Sequence, residues 1–256
     1  MSILDSFRLD GKVALVTGAS RGLGEAIAVG LAEAGADIAG LDRTPDCHIT
    51  CEKVEALGRR FMNISCDLYE TSVDGLNQVA ASVVNTLGRL DILVNNAGII
   101  RRTPALDFSE EDWDAVMHIN LKAAFFLSQA AARIMAQQSG GKIINIASML
   151  SYQGGILVPS YTASKSGVMG ITRALANEWA SLGINVNAIA PGYMATDNTA
   201  PLRADEARSA SILARIPVGR WGEPSDLQGV AVFLASDAAS YLHGATIPVD
   251  GGWLAR

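Results

Sequence analysis

One stretch limits the fold more than any other. The apolar run Lys12–Thr17 (K-V-A-L-V-T) passes directly into T-G-A-S-R-G-L-G, Thr17 to Gly24, and then into an Ala/Leu/Glu segment that ends at Gly35. Strand, glycine turn and helix in that order form the context of a dinucleotide site. Gly18, Gly22 and Gly24 are spaced G-x-x-x-G-x-G, with Ser20, Arg21 and Leu23 completing the turn. Glycines there allow a tight turn and a close approach of backbone to a pyrophosphate, which then faces a helix N-terminus.

Downstream, apolar runs alternate with helix-period segments. Strands are predicted over Lys12–Thr17, Asp37–Leu41, Arg60–Cys66, Leu90–Val94, 142–147, Gly183–Ala190 and Thr246–Val249. Helices are predicted after the glycine turn, over Thr71–Leu87, Asp107–Gln138, about 161–182, Ala204–Arg215 and Pro224–Ala235, with Ser109-Glu-Glu-Asp a capping box. Such alternation predicts an α/β fold: a doubly wound, seven-stranded parallel sheet with helices on both faces. Residues 1–256 are expected to form one dinucleotide-binding and catalytic domain, with a substrate loop at about 193–220.

Composition narrows the functional classes. A hydrophobic content of 49% with 18% charged residues fits a large core, and a net charge of −6 disfavours nucleic acid as a partner. No apolar run reaches membrane-spanning length, and the first ten residues lack a secretory h-region. Three cysteines without framework spacing suit a reducing cytoplasm. Cys47, His48 and Cys51 supply at most three ligands in a predicted loop, so no metal is expected.

The chemistry is expected between Ser148 and Lys165. Ser148 ends the strand at 142–147, and Tyr161 and Lys165, four apart, share a helix face. A free tyrosine has a pKa of about 10, and a neighbouring ammonium stabilises the phenolate. Lys165 is therefore expected to lower the Tyr161 pKa into the useful range for proton transfer. At other strand ends, Asp42 is placed to accept hydrogen bonds from a ribose and to repel a 2′-phosphate, favouring NAD over NADP. Its alternative is a turn residue before Thr44-Pro45. Asp67 suits a purine edge or a helix N-cap. Asn95–Gly98 (N-N-A-G) allows close packing against a flat ligand, and its asparagines can pin neighbouring loops. Asn120 lies mid-helix, either on the surface or facing the pocket.

Together T-G-A-S-R-G-L-G, Asp67, N-N-A-G, Asn120, Ser148, Tyr161-x-x-x-Lys165 and Pro191-Gly192 with Thr196 resemble the motif set of the short-chain dehydrogenase/reductase family. The resemblance covers the chain from about Leu9 onward. It implies a Rossmann-type oxidoreductase with catalytic Asn120, Ser148, Tyr161 and Lys165. It implies a cofactor site of Gly18, Ser20–Gly24, Asp42, Asp67, Leu68, Asn95, Ala97, Gly98, Tyr161, Lys165, Pro191, Gly192, Met194 and Thr196. It also implies a homotetramer built on the helices near 109–138 and 161–182.

Within that family, the segments around Ser148, Tyr161, Pro191 and the C-terminal D-G-G-W-L-A-R resemble members acting on deoxy-keto sugar acids. A secondary alcohol or ketone of such an acid is the expected substrate. Arg101 and Arg102 are candidate carboxylate anchors, because a guanidinium takes a carboxylate bidentately. Ser148, Gln153, Tyr193, Met194 and Asn198 are candidates for the pocket wall, and Trp253 for a neighbouring subunit's site. Alternatives are 3-oxoacyl thioesters, gluconate or another polyol as substrate, or a nucleotide-binding module without activity.

Overall fold

The computed structural model describes residues 2–44, 47–138 and 140–256. The apolar runs form seven strands: β1 (Val13–Thr17), β2 (Asp37–Asp42), β3 (Phe61–Ser65), β4 (Ile92–Asn95), β5 (Gly141–Ile146), β6 (Ile184–Pro191) and β7 (Thr246–Val249). They make one sheet in the order β3-β2-β1-β4-β5-β6-β7, every pairing parallel. Parallel strands are buried on both faces, so they read as continuous apolar runs. Along β1, Val13 and Leu15 enter one core and Ala14 and Val16 the other, as strand periodicity requires.

Helices cover both faces. α1 (Gly22–Glu33), α2 (His48–Ala56) and α9 (Gln228–Ala235) pack on one side. α3 (Val73–Leu87), α5 (Ala124–Gln137) and α6 (Pro159–Trp179) pack on the other. α4 (Glu110–Met117) contacts α6, while α7 (Ala200–Ala204) and α8 (Glu206–Leu213) lie within the expected substrate loop. Strand order reverses between β1 and β4, and the crevice outside their carboxyl ends is where such sheets bind ligands.

Two predicted elements differ from the structure. Cys47, His48 and Cys51 lie not in a loop but at the start of α2. That helix buries only Thr50 and Val54 along its length, too few positions to give a helical period in sequence. The single helix expected over Asp107–Gln138 is divided: α4, a π-helical segment at His118–Ala123, then α5. The capping residue is as expected, since Ser109 Oγ accepts from Asp112 N at 3.1 Å.

Candidate active site

The glycine turn is built for a ligand. Gly18 has φ +66°, and a Cβ at Gly24 would lie 2.0 Å from Gly18 O, so no side chain fits there. Thr17, Asn96 and Asp42 fix the turn. Asn96 Nδ2 donates to Thr17 O (2.9 Å) and Gly18 O (3.2 Å), while Ser20 N and Oγ donate to Asp42 Oδ2 at 3.2 and 2.6 Å. The α1 N-cap, Arg21, makes no side-chain cap. The first-turn N–H groups at Gly22, Leu23 and Gly24 therefore point outward without intrahelical partners, a ready anion site.

The acids at the next two strand ends are held locally. Arg43 N donates to Asp42 Oδ1 at 2.7 Å, so the carboxylate expected to meet a ribose also braces the turn. Pro45 of the Thr44-Pro45 alternative lies outside the described residues. Asp67 Oδ1 accepts from Tyr69 N at 2.8 Å, and the α3 N-cap is Ser72, so Asp67 does not cap that helix. Leu68 turns its side chain into the core and offers only backbone to a ligand.

The N-N-A-G turn splits into two tasks. Asn95 points into the protein, where Nδ2 donates to Asn145 Oδ1 and Ser128 Oγ, each at 2.8 Å. Asn145 Nδ2 continues to Thr172 Oγ1 at 2.9 Å. This buried amide ladder ties β4, β5, α5 and α6 together, and the Asn95 side chain does not line the cleft. Asn96, absent from the sequence-based site, is the residue that reaches the glycine turn. Its signal was its adjacency to Asn95, but only the fold separates inward from outward.

Asn120 lies within the π-helical segment and is 2% exposed. Its Oδ1 accepts from Ile99 N at 2.8 Å, and Nδ2 donates to Ile99 O (2.9 Å) and Ser164 Oγ (3.2 Å). The surface alternative is excluded. Asn120 locks the strand-four loop onto α6, and π-bulges occur frequently at functional sites.

Ser148, Tyr161 and Lys165 converge as expected, but their proton equilibria differ from expectation. Lys165 Nζ lies 5.7 Å from the Tyr161 ring centroid and donates to Ile146 O at 2.6 Å. A Cβ on Gly98 would sit 3.7 Å from that ammonium, so N-N-A-G packs directly against it. Burial pushes the Tyr161 phenol up, opposed by the adjoining Ser148 hydroxyl and the positive charge of Arg102. Burial alone lowers Lys165 to about 8. The expected downward shift of Tyr161 by Lys165 is thus absent in this state. Desolvation outweighs attraction, and the ammonium is engaged with a backbone carbonyl.

The candidate substrate residues divide. Arg101 pairs with Asp112 of α4 at 3.0 Å. Arg102 donates to Asn198 O at 3.1 Å, and its charge is felt at Tyr161. Gln153 Oε1 accepts from Arg215 at 3.2 Å. Tyr193 packs edge-on against Trp221 and Trp253, with centroids at 5.5 and 4.9 Å. Trp253 is 5% exposed inside its own chain, clustered with Met149 next to Ser148 and covered by Arg215 at 4.1 Å. Within its own chain the tail folds back onto this cluster. Met194 is buried, Gly192 N donates to Val249 O at 3.0 Å, and Pro191 ends β6. Thr196 closes over the glycine turn, its methyl 3.8 Å from where a Gly22 Cβ would be. An Arg21–Asp197 ion pair at 3.0 Å spans the same gap.

The family described as enoyl-(acyl carrier protein) reductase matches residues 18–254. The chain is 63% identical over 255 residues to the 2-dehydro-3-deoxy-D-gluconate 5-dehydrogenase of Escherichia coli (strain K12), covering 99% of this chain and 100% of that protein. It is 53% identical to the protein of the same name from Bacillus subtilis (strain 168), covering 98% of each. Among solved structures, the gluconate 5-dehydrogenase of Burkholderia cenocepacia in complex with NADP and tartrate superposes with a TM-score of 0.95 at 39% identity, covering 100% of both chains.

Proposed function

The chain belongs to the short-chain dehydrogenase/reductase family, and from that premise we propose that it interconverts a secondary alcohol and ketone on a deoxy-keto sugar acid of the 2-dehydro-3-deoxy-D-gluconate type. It is an oxidoreductase acting on CH–OH groups of sugar acids. The observation that carries the reading is the convergence of Ser148, Tyr161 and Lys165 beside a glycine turn whose first-turn N–H groups lack partners.

The outward N–H groups at Gly22–Gly24 and the side-chain-free approach at Gly24 fit a dinucleotide pyrophosphate. A nicotinamide cofactor, when bound, accepts or supplies hydride. Tyr161 removes the alcohol proton in oxidation and returns it in reduction. Ser148 hydrogen-bonds the same oxygen and holds it against the phenol. Lys165, 5.7 Å from the ring centroid, supplies a cation on the same helix face, and Asn120 fixes the adjoining loop. Thr196, Pro191 and Gly192 form the wall opposite the glycine turn. Asp67, with the Leu68 backbone, borders the adenine end, and Ala97 and Gly98 line the floor.

We assign NAD as the preferred cofactor on the reading that the Asp42 carboxylate at the end of β2 would repel a 2′-phosphate. Parallel assays with NAD and NADP test this, and equal kcat/KM for the two would overturn it. Arg102 is assigned to the substrate carboxylate, since its charge reaches Tyr161 while Arg101 is spent on Asp112. This cation also argues against 3-oxoacyl thioesters, whose reacting end carries no carboxylate. A cytoplasmic homotetramer completes the reading, supported by Leu106 (99% exposed) and Trp113 (40% exposed) on and beside α4. Light scattering of the purified chain tests the assembly. The deciding experiment is reduction of NAD by candidate sugar acids, followed spectrophotometrically. No turnover with any deoxy-keto sugar acid, against turnover with another alcohol, would remove the substrate.

A further inference from the structure

The sheet has a second polar opening at its other end. A cavity of about 390 Å³ lies beneath the amino ends of β1, β4, β5 and β6, lined among others by Lys12, Arg89, Lys142, Asn185, Asp237 and His243. That volume falls in the usual range for small-molecule sites. It is separated from the cleft by the length of the strands.

The charges in this cavity are not balanced. Arg89 is neutralised by Asp91, to which it donates twice at 2.6 Å. Asp91 Oδ2 also accepts from Val13 N at 3.0 Å, and Lys12 reaches Oδ1 only at 3.9 Å. Lys142 is part-buried, and among the described residues its ammonium donates only to a neutral acceptor, Asn185 Oδ1, at 2.9 Å. Among the described residues it forms no ion pair. Lys12 repels it, and Asp237 attracts it from a distance. Asn185 is itself fixed, because Nδ2 donates to Ser240 O and Leu242 O, each at 3.0 Å. A preset, partly desolvated ammonium, with two N–H bonds unused among the described residues, therefore faces a polar cavity beside a second ammonium. Asp237 offsets only part of the cost of desolvating Lys142 beside Lys12, and an anion between the two lysines removes the rest.

We propose that this cavity binds a small anionic metabolite through a phosphate or carboxylate group, with Lys142 and Lys12 as its cationic contacts. The site is independent of the reaction assigned to the cleft.

Titration calorimetry on the full chain, with NAD saturating so that the cleft is filled, tests the proposal. Inorganic phosphate and citrate are the two probes, each against sodium chloride at matched ionic strength. Saturable binding of at least one probe at one site per chain is expected, and the probe that binds identifies the anion. Lys142→Gln, which keeps a donor for Asn185, should weaken it tenfold or more. Lys12→Gln should weaken it several-fold, and Lys142→Arg should retain it. NAD affinity and turnover should not change in any of the three. Heats that do not saturate for either probe, an affinity unaltered in Lys142→Gln, or binding that appears only without NAD would each overturn the site.

Discussion

Two lysines touch opposite ends of one strand, and they show how this protein handles a buried charge. Lys165 reaches the carboxyl end of β5 and donates to Ile146 O; Lys142 begins the same strand and donates to Asn185 Oδ1. Burial lowers both. Lys165, 4% exposed, is brought to about 8 by burial alone, whereas Lys142 has Asp237 in its field and keeps part of its surface in water. At roughly 1.4 kcal/mol per tenfold change in proton equilibrium, moving Lys165 from 10.5 to about 8 costs on the order of 3 kcal/mol. The fold carries that cost next to Tyr161. In the proposed mechanism the uncompensated cation lies beside the phenol that would become an anion during turnover.

The comparison breaks first if the phenol is not the partner of that cation. Tyr161→Phe should lower kcat by about 10²–10⁴ with NAD affinity intact, measured by steady-state kinetics and fluorescence titration. Retained turnover would refute the assignment. Lys165→Met sharpens the same contrast. Activity should fall at least 100-fold while the melting temperature rises by a few degrees, because the buried charge is gone. The pH dependence carries a definite sign. The folded state holds the Lys165 proton less tightly than the unfolded state does. The resulting stability is complete above pH 10.5 and is lost as pH falls through about 8. Denaturant titrations across that window should show a stability gain with pH in the wild type that Lys165→Met lacks; parallel curves would discard the assignment.

A smaller effect tests the glycine turn that brings a ligand to Lys165. Gly24→Ala places a methyl against Gly18 O, so NAD affinity should fall at least tenfold by calorimetry, with a stability loss of about 1–3 kcal/mol. Smaller again, Arg102→Ala should raise KM for the sugar acid about tenfold with little change in kcat. Arg101→Ala, which only frees Asp112, should change KM less than twofold. Equal effects of the two arginines would return the anchor to an open question.

Much of the site was legible because its spacing is local. T-G-A-S-R-G-L-G declares a strand–turn–helix, and Tyr161 and Lys165 fall on one face of α6 by helical period alone. The Asn95–Asn96 pair shows where local reading stops. Adjacent residues on a strand end face opposite ways, so one became a buried strut and the other a clamp on the glycine turn. Asn120 looked like a residue inside a regular helix because a π-bulge needs no special sequence, only a packing partner such as Ile99.

The residue pattern by itself determined the parallel sheet, the crevice at its reversal and the clustering of the candidate trio, since each depends on periodicity or short spacing. Tertiary structure alone decided which charges are spent and which are free. Arg101 and Asp112 are eleven residues apart, Arg102 and Asn198 are 96 apart, and Trp253 packs with Met149, 104 residues before it. It also reversed the expected direction of the Tyr161 shift. A proton equilibrium depends on how much water a group has lost, and that is fixed only when distant segments close over it.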